Sequence, residues 1–194
     1  MAATADRFAG PTLPNSAGLA AADVLAGAYG NIVRQAAADR ALVQDIIGAL
    51  RPIEREMIPD VNPTVDALTE RVGALATTLH RLDIDVSGAS LGSLDERIAG
   101  LQRELGTTER DRRLALLQRQ RASLHDLLDR RRMLANQLES ASLALQNLKF
   151  DLLKLRSSGV AAAIEDVTSA TQEARALSRD IGHVLEAADD LKRL

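Results

Sequence analysis

The sequence predicts an all-α protein made of elongated antiparallel helical hairpins and long coiled-coil helices. Three observations predict this class. Apolar residues recur at alternating intervals of three and four through most of the 194 residues, which is the spacing of one helix face. Aromatic residues make up only 2% of the chain, so Ala and Leu carry the apolar fraction, and both suit contacts between helices. A heptad repeat runs from Leu117 to Leu155 without Pro or Gly.

The heptad repeat is the stretch around which the rest of the chain is organised. Ten of its twelve seam positions are apolar, and the exceptions are Gln120 and Arg131. A seven-residue repeat keeps one stripe against a partner helix if the pair supercoils left-handedly. The stretch would form a rod of about 58 Å, too long for a compact domain of this size to cover fully. The predicted coiled-coil interface comprises Leu117, Leu124, Leu127, Leu134, Leu138, Leu145, Leu148, Leu152 and Leu155.

The whole chain divides into four predicted parts. Residues 1–15 mix Gly, Pro, Ala and Thr without periodicity and are predicted to be a disordered lead-in. Residues 16–82 carry two apolar stripes separated by a short break, which favours a helical hairpin. Residues 83–92 are rich in Asp, Gly and Ser and are predicted to be a linker. Residues 93–194 form the coiled-coil region, with a short helix, the heptad helix and a final stripe.

The first hairpin is predicted to contain two helices. The stripe of the first keeps its phase across Pro52. Pro52 either kinks this helix or restarts the chain as the first residue of another, and the unbroken phase favours a kink. Asn62 followed by Pro63 is typical of a helix N-cap and first helical residue, so the second helix should begin there.

The short helix of the coiled-coil region is predicted from its ends. Ser93 and Glu96 form a capping box that opens it, and Gly106 supplies a left-handed residue that closes it. Thr107 or Thr108 then caps the heptad helix. Because the seam starts afresh after this turn, the short helix should fold back on the start of the heptad helix as a hairpin.

The relation between the heptad helix and the final stripe stays open. Gly159 interrupts the seam, and the next stripe begins at Ile164 with an offset phase. Gly159 favours a break between two helices, whereas the absence of Pro favours one helix that continues through a stutter.

Composition and charge exclude several classes of function. The chain has 27 acidic and 24 basic residues, a net charge of −3, which disfavours a general nucleic-acid binder. It has no Cys, which removes disulfides and thiolate metal sites and fits a reducing compartment. It has neither a stretch of about 20 mostly apolar residues nor a signal-peptide pattern, so a cytoplasmic location is expected.

The sequence contains no signature of catalysis or nucleotide binding. Its three histidines, His80, His125 and His183, are isolated, each with only one or two acidic neighbours. A metal site in a helical bundle needs further carboxylate and His ligands on facing helices. The sequence therefore predicts surface histidines, no metal, no cofactor, no small-molecule substrate and no enzymatic activity.

Arginines are concentrated between Arg110 and Arg132, where eight basic residues stand against three Asp. They could bind phosphate groups of a membrane or a nucleic acid, although no aromatic residues interleave them for base stacking. Pairing with an acidic helix is favoured, and residues 160–194 could supply that helix. The candidate anion-binding patch consists of Arg112, Arg113, Arg119, Arg121, Arg130, Arg131 and Arg132.

Arg131 and Asp39 are charged residues at seam positions. Each could lie at the edge of its seam and reach solvent. Alternatively, each could be a polar seam residue that specifies the register and the partner helix. The sequence favours neither interpretation.

Several segments carry a resemblance to a known family. They are residues 63–68 (PTVDAL), 79–83 (LHRLD), 112–117 (RRLALL), 138–141 (LESA), 153–159 (LKLRSSG) and 170–181 (ATQEARALSRDI). Over roughly residues 20–190 the chain resembles the C-terminal helical tail of membrane-anchored bacterial serine/threonine protein kinases. The resemblance implies a fragment or stand-alone relative of a signalling protein. It implies no kinase activity, because the Gly-rich loop, the H-R-D catalytic loop and the D-F-G metal site are missing.

The expected function is that of a non-enzymatic coiled-coil signalling or oligomerisation module, serving as the regulatory or scaffolding tail of a bacterial serine/threonine kinase system. The expected partner is a second copy of the chain, giving a homodimer, or another helical protein. Nucleic acid is disfavoured as a partner, and membrane contact is expected only indirectly. The alternative function is binding of an anionic surface, either membrane or nucleic acid, through the arginines from Arg110 to Arg132.

Overall fold

The computed structural model describes residues 18–58, 60–158 and 160–190, and these residues form seven α-helices and no strand. The all-α class is therefore confirmed, while the predicted disordered lead-in lies outside the described residues. No helix in this part of the chain has the length and apolar character needed to cross a bilayer. The helices are α1 (Ala22–Ala26), α2 (Gly30–Ala49), α3 (Pro52–Glu56), α4 (Val61–Asp85), α5 (Leu91–Arg103), α6 (Thr108–Ser158) and α7 (Val160–Asp190).

The main core lies where four helical segments pack together: α2, α4, α7 and residues 131–158 of α6, which are called the body. Each contributes one apolar stripe at three- and four-residue spacing. In α4 this stripe is Leu68, Val72, Leu75 and Leu79, all fully buried. The body is therefore a four-helix arrangement in which every long helix turns one face inward.

A second, smaller core lies where α5 packs on residues 108–130 of α6, and this pair is called the arm. Leu94 of α5 and Leu117 and Leu124 of α6 are its buried residues. Helix α6 is continuous between arm and body, and its 51 residues span about 77 Å. The arm is thus a two-helix extension of the body along one long helix.

The chain breaks before Pro52, which corrects the predicted kink. Helix α2 ends at Ala49, Leu50 and Arg51 have extended backbones with ψ of 151°, and Pro52 is the first residue of α3. Proline disfavours a helical conformation in the preceding residue but suits the first helical position, so the chain leaves one helix and starts another. The spacing predicts Ile53 and Met57 as the next buried residues, but they are 67% and 51% exposed, and Ile58 is buried instead.

Helix α4 begins at Val61, and Asp60 is its N-cap residue. The predicted capping role of Asn62 is therefore wrong. Asn62 lies in the first turn, and its buried side-chain oxygen has no hydrogen-bond partner among the described residues. The hydroxyl of Thr64 instead donates a hydrogen bond of 2.7 Å to the carbonyl oxygen of Asp60.

Helix α5 begins two residues earlier than its predicted capping box. Ser90 is the N-cap, and its hydroxyl oxygen accepts a hydrogen bond of 3.4 Å from the backbone N–H of Ser93. The predicted box of Ser93 and Glu96 is therefore wrong, because both residues already lie inside the helix. The serine directly before Leu91, the first residue of the helix, supplies the cap instead.

The turn between α5 and α6 has a different backbone conformation from the one predicted. Among the described glycines only Gly88 has a positive φ, of 82°, so Gly106 does not supply a left-handed end. Helix α5 ends instead on Glu104, whose backbone is extended with ψ of 158°. The predicted cap of the long helix is confirmed, since the Thr107 hydroxyl accepts a hydrogen bond of 3.1 Å from the backbone N–H of Arg110.

The heptad helix and the final stripe belong to two separate helices. Helix α6 ends at Ser158 and α7 begins at Val160, with residue 159 outside the described residues. Helix α7 lies alongside α6 and does not extend it, and Lys154 Nζ contacts Asp166 Oδ2 at 2.6 Å. This arrangement favours the break over the stutter.

Candidate functional site

Most of the predicted interface leucines lie in the core of the body. Helices α2, α4 and α7 of the same chain cover the stretch from residue 134 to residue 155. The expectation that one chain cannot cover this stretch is therefore wrong for these residues, because helices from both sides of α6 in sequence pack on it. The leucines concerned are at most 1% exposed: Leu134, Leu138, Leu145, Leu148, Leu152 and Leu155.

The remaining three predicted interface leucines lie in the arm. Leu117 and Leu124 face α5 and are buried with Leu94. Leu127 is 36% exposed and belongs to neither core. The structure thus divides the seam between two cores within one chain and leaves one member at the surface.

An open groove runs along one face of the arm near its tip, between α5 and α6, with a volume of about 520 Å³. Leu101, Leu116 and Leu117 form its apolar floor, and Leu116 is 62% exposed. Gly100 lies in the middle of the α5 side, and no atom lies within 4 Å of where a Cβ would stand on it. The groove therefore presents apolar surface and has room for another backbone to approach.

The rim of this groove is charged. Arg97 and Glu104 lie on the α5 side, and Arg113 and Gln120 lie on the α6 side. Arg113 Nε contacts Glu109 Oε1 at 3.3 Å, whereas Arg97 and Glu104 form no ion pair with any described residue. The arrangement of an apolar floor between polar edges is typical of surfaces that receive a helix of another protein.

The groove was not predicted, although the sequence contains a signal for it. Arg97 and Gly100 of α5 and Glu104 at its C-cap recur at intervals of three and four, beside the leucine stripe that packs on α6. A second stripe with a small residue at its centre indicates a second packing surface. The heptad leucines were the stronger signal, and they identified the core.

The candidate anion-binding patch is divided among several ion pairs. Five of its seven arginines have an acidic partner: Arg112 and Arg113 with Glu109, Arg121 with Asp95, Arg131 with Asp83, and Arg132 with Asp129. Arg119 and Arg130 have none among the described residues. Because residues 86–130 hold eight Arg and seven Asp or Glu, the arm as a whole is nearly neutral. The folded arm therefore supports anion binding less than the arginine run alone suggested.

The described part of α7 does not supply the acidic partners of these arginines, which are Asp95 of α5, Asp83 of α4, and Glu109 and Asp129 of α6 itself. Asp95 of α5 lies 2.5 Å from Arg121 Nε. The described part of α7 packs against the body, where its Arg175 contacts Asp60 at 2.9 Å. The charged residues of α7 therefore form their contacts within the body, and α7 does not cover the arm.

Arg131 lies where the arm joins the body, in a group called the junction cluster with Tyr29 and Asp83. The Tyr29 hydroxyl donates a hydrogen bond of 2.7 Å to Asp83 Oδ2. Arg131 Nε donates to Asp83 Oδ1, and Arg131 Nη2 lies 3.4 Å from the Tyr29 hydroxyl oxygen. The cluster links the start of α2, the end of α4 and the middle of α6, while the Arg131 side chain remains 42% exposed, as expected of a residue at the edge of the seam.

The junction cluster shifts two pKa values. Burial raises the pKa of Asp83, but the hydrogen bonds from Arg131 and Tyr29 and the charge of Arg131 outweigh burial and hold this pKa below its usual value. Burial and the neighbouring Asp83 carboxylate raise the pKa of Tyr29. The cluster therefore favours an ionised Asp83 beside a neutral Tyr29.

We expect the stability that Asp83 contributes to be lost on acidification. Because its pKa is lowered by folding, the contribution is present above the unfolded pKa of about 3.9 and is lost as the pH falls through the folded value. Chemical unfolding of the wild type and of Asp83→Asn should therefore differ most near neutral pH, and the difference should shrink below about pH 4. A difference that stays constant down to about pH 2 would contradict this account of the cluster.

Asp39 is buried in the body and forms an ion pair. It is 3% exposed, Lys149 Nζ lies 2.7 Å from its Oδ1, and Gln35 Nε2 donates to the same oxygen at 2.9 Å. The structure thus supports the interpretation of Asp39 as a polar seam residue over that of a solvated edge. Through Lys149 it ties α2 to one position along α6.

Two of the three histidines each pair with a single carboxylate. His125 Nδ1 lies 2.9 Å from Asp129, and His80 Nε2 lies 3.5 Å from Asp23. In the described ranges no group of three or more His, Cys, Asp or Glu side chains is arranged to hold a metal ion.

Comparison of the chain with protein-family models, curated proteins and solved structures gives no match. The groove on the arm is therefore the candidate site of association.

Proposed function

We propose that the chain is a non-enzymatic helical interaction module that associates with another helical protein segment through the groove on its arm. The observation that carries the proposal is the exposed apolar floor of that groove between charged edges. The leucines of the body are less suitable for association, because their own chain already buries them. The proposed function is thus still association, as the sequence predicts, but its surface is the arm and not the leucine seam.

The difference in packing between arm and body supports this proposal. In the body, α6 packs with α2, α4 and α7, whereas α5 is the helix that packs on α6 in the arm. Only Leu94, Leu117 and Leu124 are fully covered in the arm. A third or fourth helix laid on the arm would remove further apolar surface from water, which is the main driving force for helical association.

A narrower form of the proposal makes the chain the cytoplasmic regulatory or scaffolding tail of a bacterial serine/threonine kinase system. Its support is the resemblance of residues 112–117, 153–159 and 170–181 to such tails. Residues 112–117 lie on the arm and include Leu116, so the resembling segment overlaps the groove. The arm would then be the part of the tail that engages a partner.

The proposal is tested by placing a photo-reactive amino acid at position 116 of the full chain in the source cell. We expect a covalent adduct there on illumination, because Leu116 is an exposed part of the groove floor. The matched control is position 143, where another leucine of α6 is 50% exposed but lies outside the groove. Equal adduct formation at both positions, or none at position 116, would overturn association through the arm.

A further inference from the structure

We propose that the groove receives a second copy of itself, giving a two-fold symmetric dimer in which the two arms lie face to face and antiparallel. This inference rests on the proposed function for the location of the surface and adds the identity of the partner. The observations that carry it are the positions of Arg97 and Glu104, their lack of ion pairs with the described residues, and the open space at Gly100.

The charges of α5 are self-complementary in an antiparallel arrangement. Arg97 lies three residues before Gly100 and Glu104 lies four residues after it. If two copies of α5 cross antiparallel between Gly100 and Leu101, Arg97 of each copy faces Glu104 of the other. A two-fold axis therefore generates two identical Arg–Glu pairs, which is the property required of an isologous interface.

The single chain leaves these two charges available. Arg97 and Glu104 are exposed, and neither forms an ion pair with a described residue. Arg113, on the other side of the groove, already contacts Glu109. Parallel arms would bring Glu104 level with Arg113 of the second copy and would compete with that contact, so the antiparallel arrangement is favoured.

The centre of the groove suits the same crossing. Gly100 has no side chain, and the space beside it is open, so two α5 backbones can approach closely there. The exposed Leu116 lines the same groove as Gly100 and, in this arrangement, would pack against the second copy. A face-to-face pair of arms would form a four-helix bundle, in which each arm covers the apolar floor of the other.

The dimer is tested by the solution mass of the purified full chain, measured by sedimentation over a roughly hundred-fold range of concentration. We expect a monomer–dimer equilibrium, and a monomer with an unchanged helical circular dichroism signal for Leu116→Asp. The control Leu143→Asp should dimerise as the wild type does, since position 143 lies outside the groove. A wild type that stays monomeric throughout, or a Leu116→Asp chain that dimerises normally, would overturn the inference.

A charge exchange tests the orientation. We expect Arg97→Glu or Glu104→Arg alone to weaken dimerisation about ten-fold or more, because each places like charges together at two sites. The double variant R97E/E104R should restore it, since the pairs reform with opposite polarity. If E104R/R113E restores dimerisation and R97E/E104R does not, the arms are parallel, and this result would overturn the antiparallel arrangement.

Failure of the dimer and failure of the proposed function give different results. A purified chain that is monomeric, together with an adduct at position 116 to a different protein in the cell, overturns the second copy as the partner and leaves the arm as an interaction site. The absence of any adduct at position 116 overturns both.

Discussion

Replacement of Leu138 and Leu145 by Asp is expected to abolish the native fold of the single chain. Both side chains are 1% exposed in the core of the body. A leucine-to-alanine change at such a position costs about 2–5 kcal/mol, and an unpaired buried carboxylate adds several more. Since the free energy of unfolding of a domain is about 5–15 kcal/mol, two such changes exceed it. The cooperative thermal transition followed by circular dichroism should disappear.

Leu143→Asp is the matched control for this double variant. It lies on the same helix, two residues before Leu145, but is 50% exposed on the opposite face. It should retain the helical signal and a melting temperature close to that of the wild type. If the double variant instead keeps its helical signal and its cooperative transition but has a lower solution mass than the wild type, the leucines act between chains and not within one.

The second large effect is expected at the buried ion pair. Asp39→Ala leaves the ammonium group of Lys149, which is only 13% exposed, without its carboxylate partner. Removing one partner of a buried pair costs about 3–5 kcal/mol, because the remaining charge stays desolvated and unpaired. The free energy of unfolding from denaturant titration should fall by that amount.

Two controls separate this effect from a general sensitivity to lost ion pairs. Asp39→Leu combined with Lys149→Met removes both charges and should recover most of the loss, since apolar replacements of a buried pair are often neutral or stabilising. Asp66→Ala breaks the pair with Arg40, in which both side chains are more than one-third exposed, and should cost much less. A loss for Asp39→Ala as small as that for Asp66→Ala would contradict the burial of the pair.

The helices themselves could be predicted because their signal is local. The stripe of α4 follows directly from the spacing of Leu68, Val72 and Leu75, and the cap at Thr107 follows from its position at the end of a turn. The break at Pro52 was missed because the apolar phase continued across it. Ile53 and Met57 keep the apolar spacing in the sequence but are exposed in the structure, so the spacing identified neither the break nor the residue that is buried after it.

The partners of the helices could not be predicted, because periodicity identifies the buried face of a helix and not the helix that covers it. The spacing of the nine seam leucines therefore predicts an interface without identifying whether another chain or the same chain covers it. The polar seam residues show the same limit: Asp39 and Lys149 are 110 residues apart in sequence, and Arg131 and Asp83 are 48 apart. Such pairs exist only after the chain has folded, and the groove on the arm depends on the same long-range packing.

Amide hydrogen exchange of the full chain over a roughly hundred-fold dilution tests most directly the claim that the seam is internal and association uses the arm. We predict that protection of residues 134–155 does not change with concentration, because their own chain buries them. Protection of α5 and of residues 108–130 should fall on dilution as arms separate. Loss of protection at residues 134–155 on dilution, with the arm unaffected, would contradict the account and return the interface to the seam.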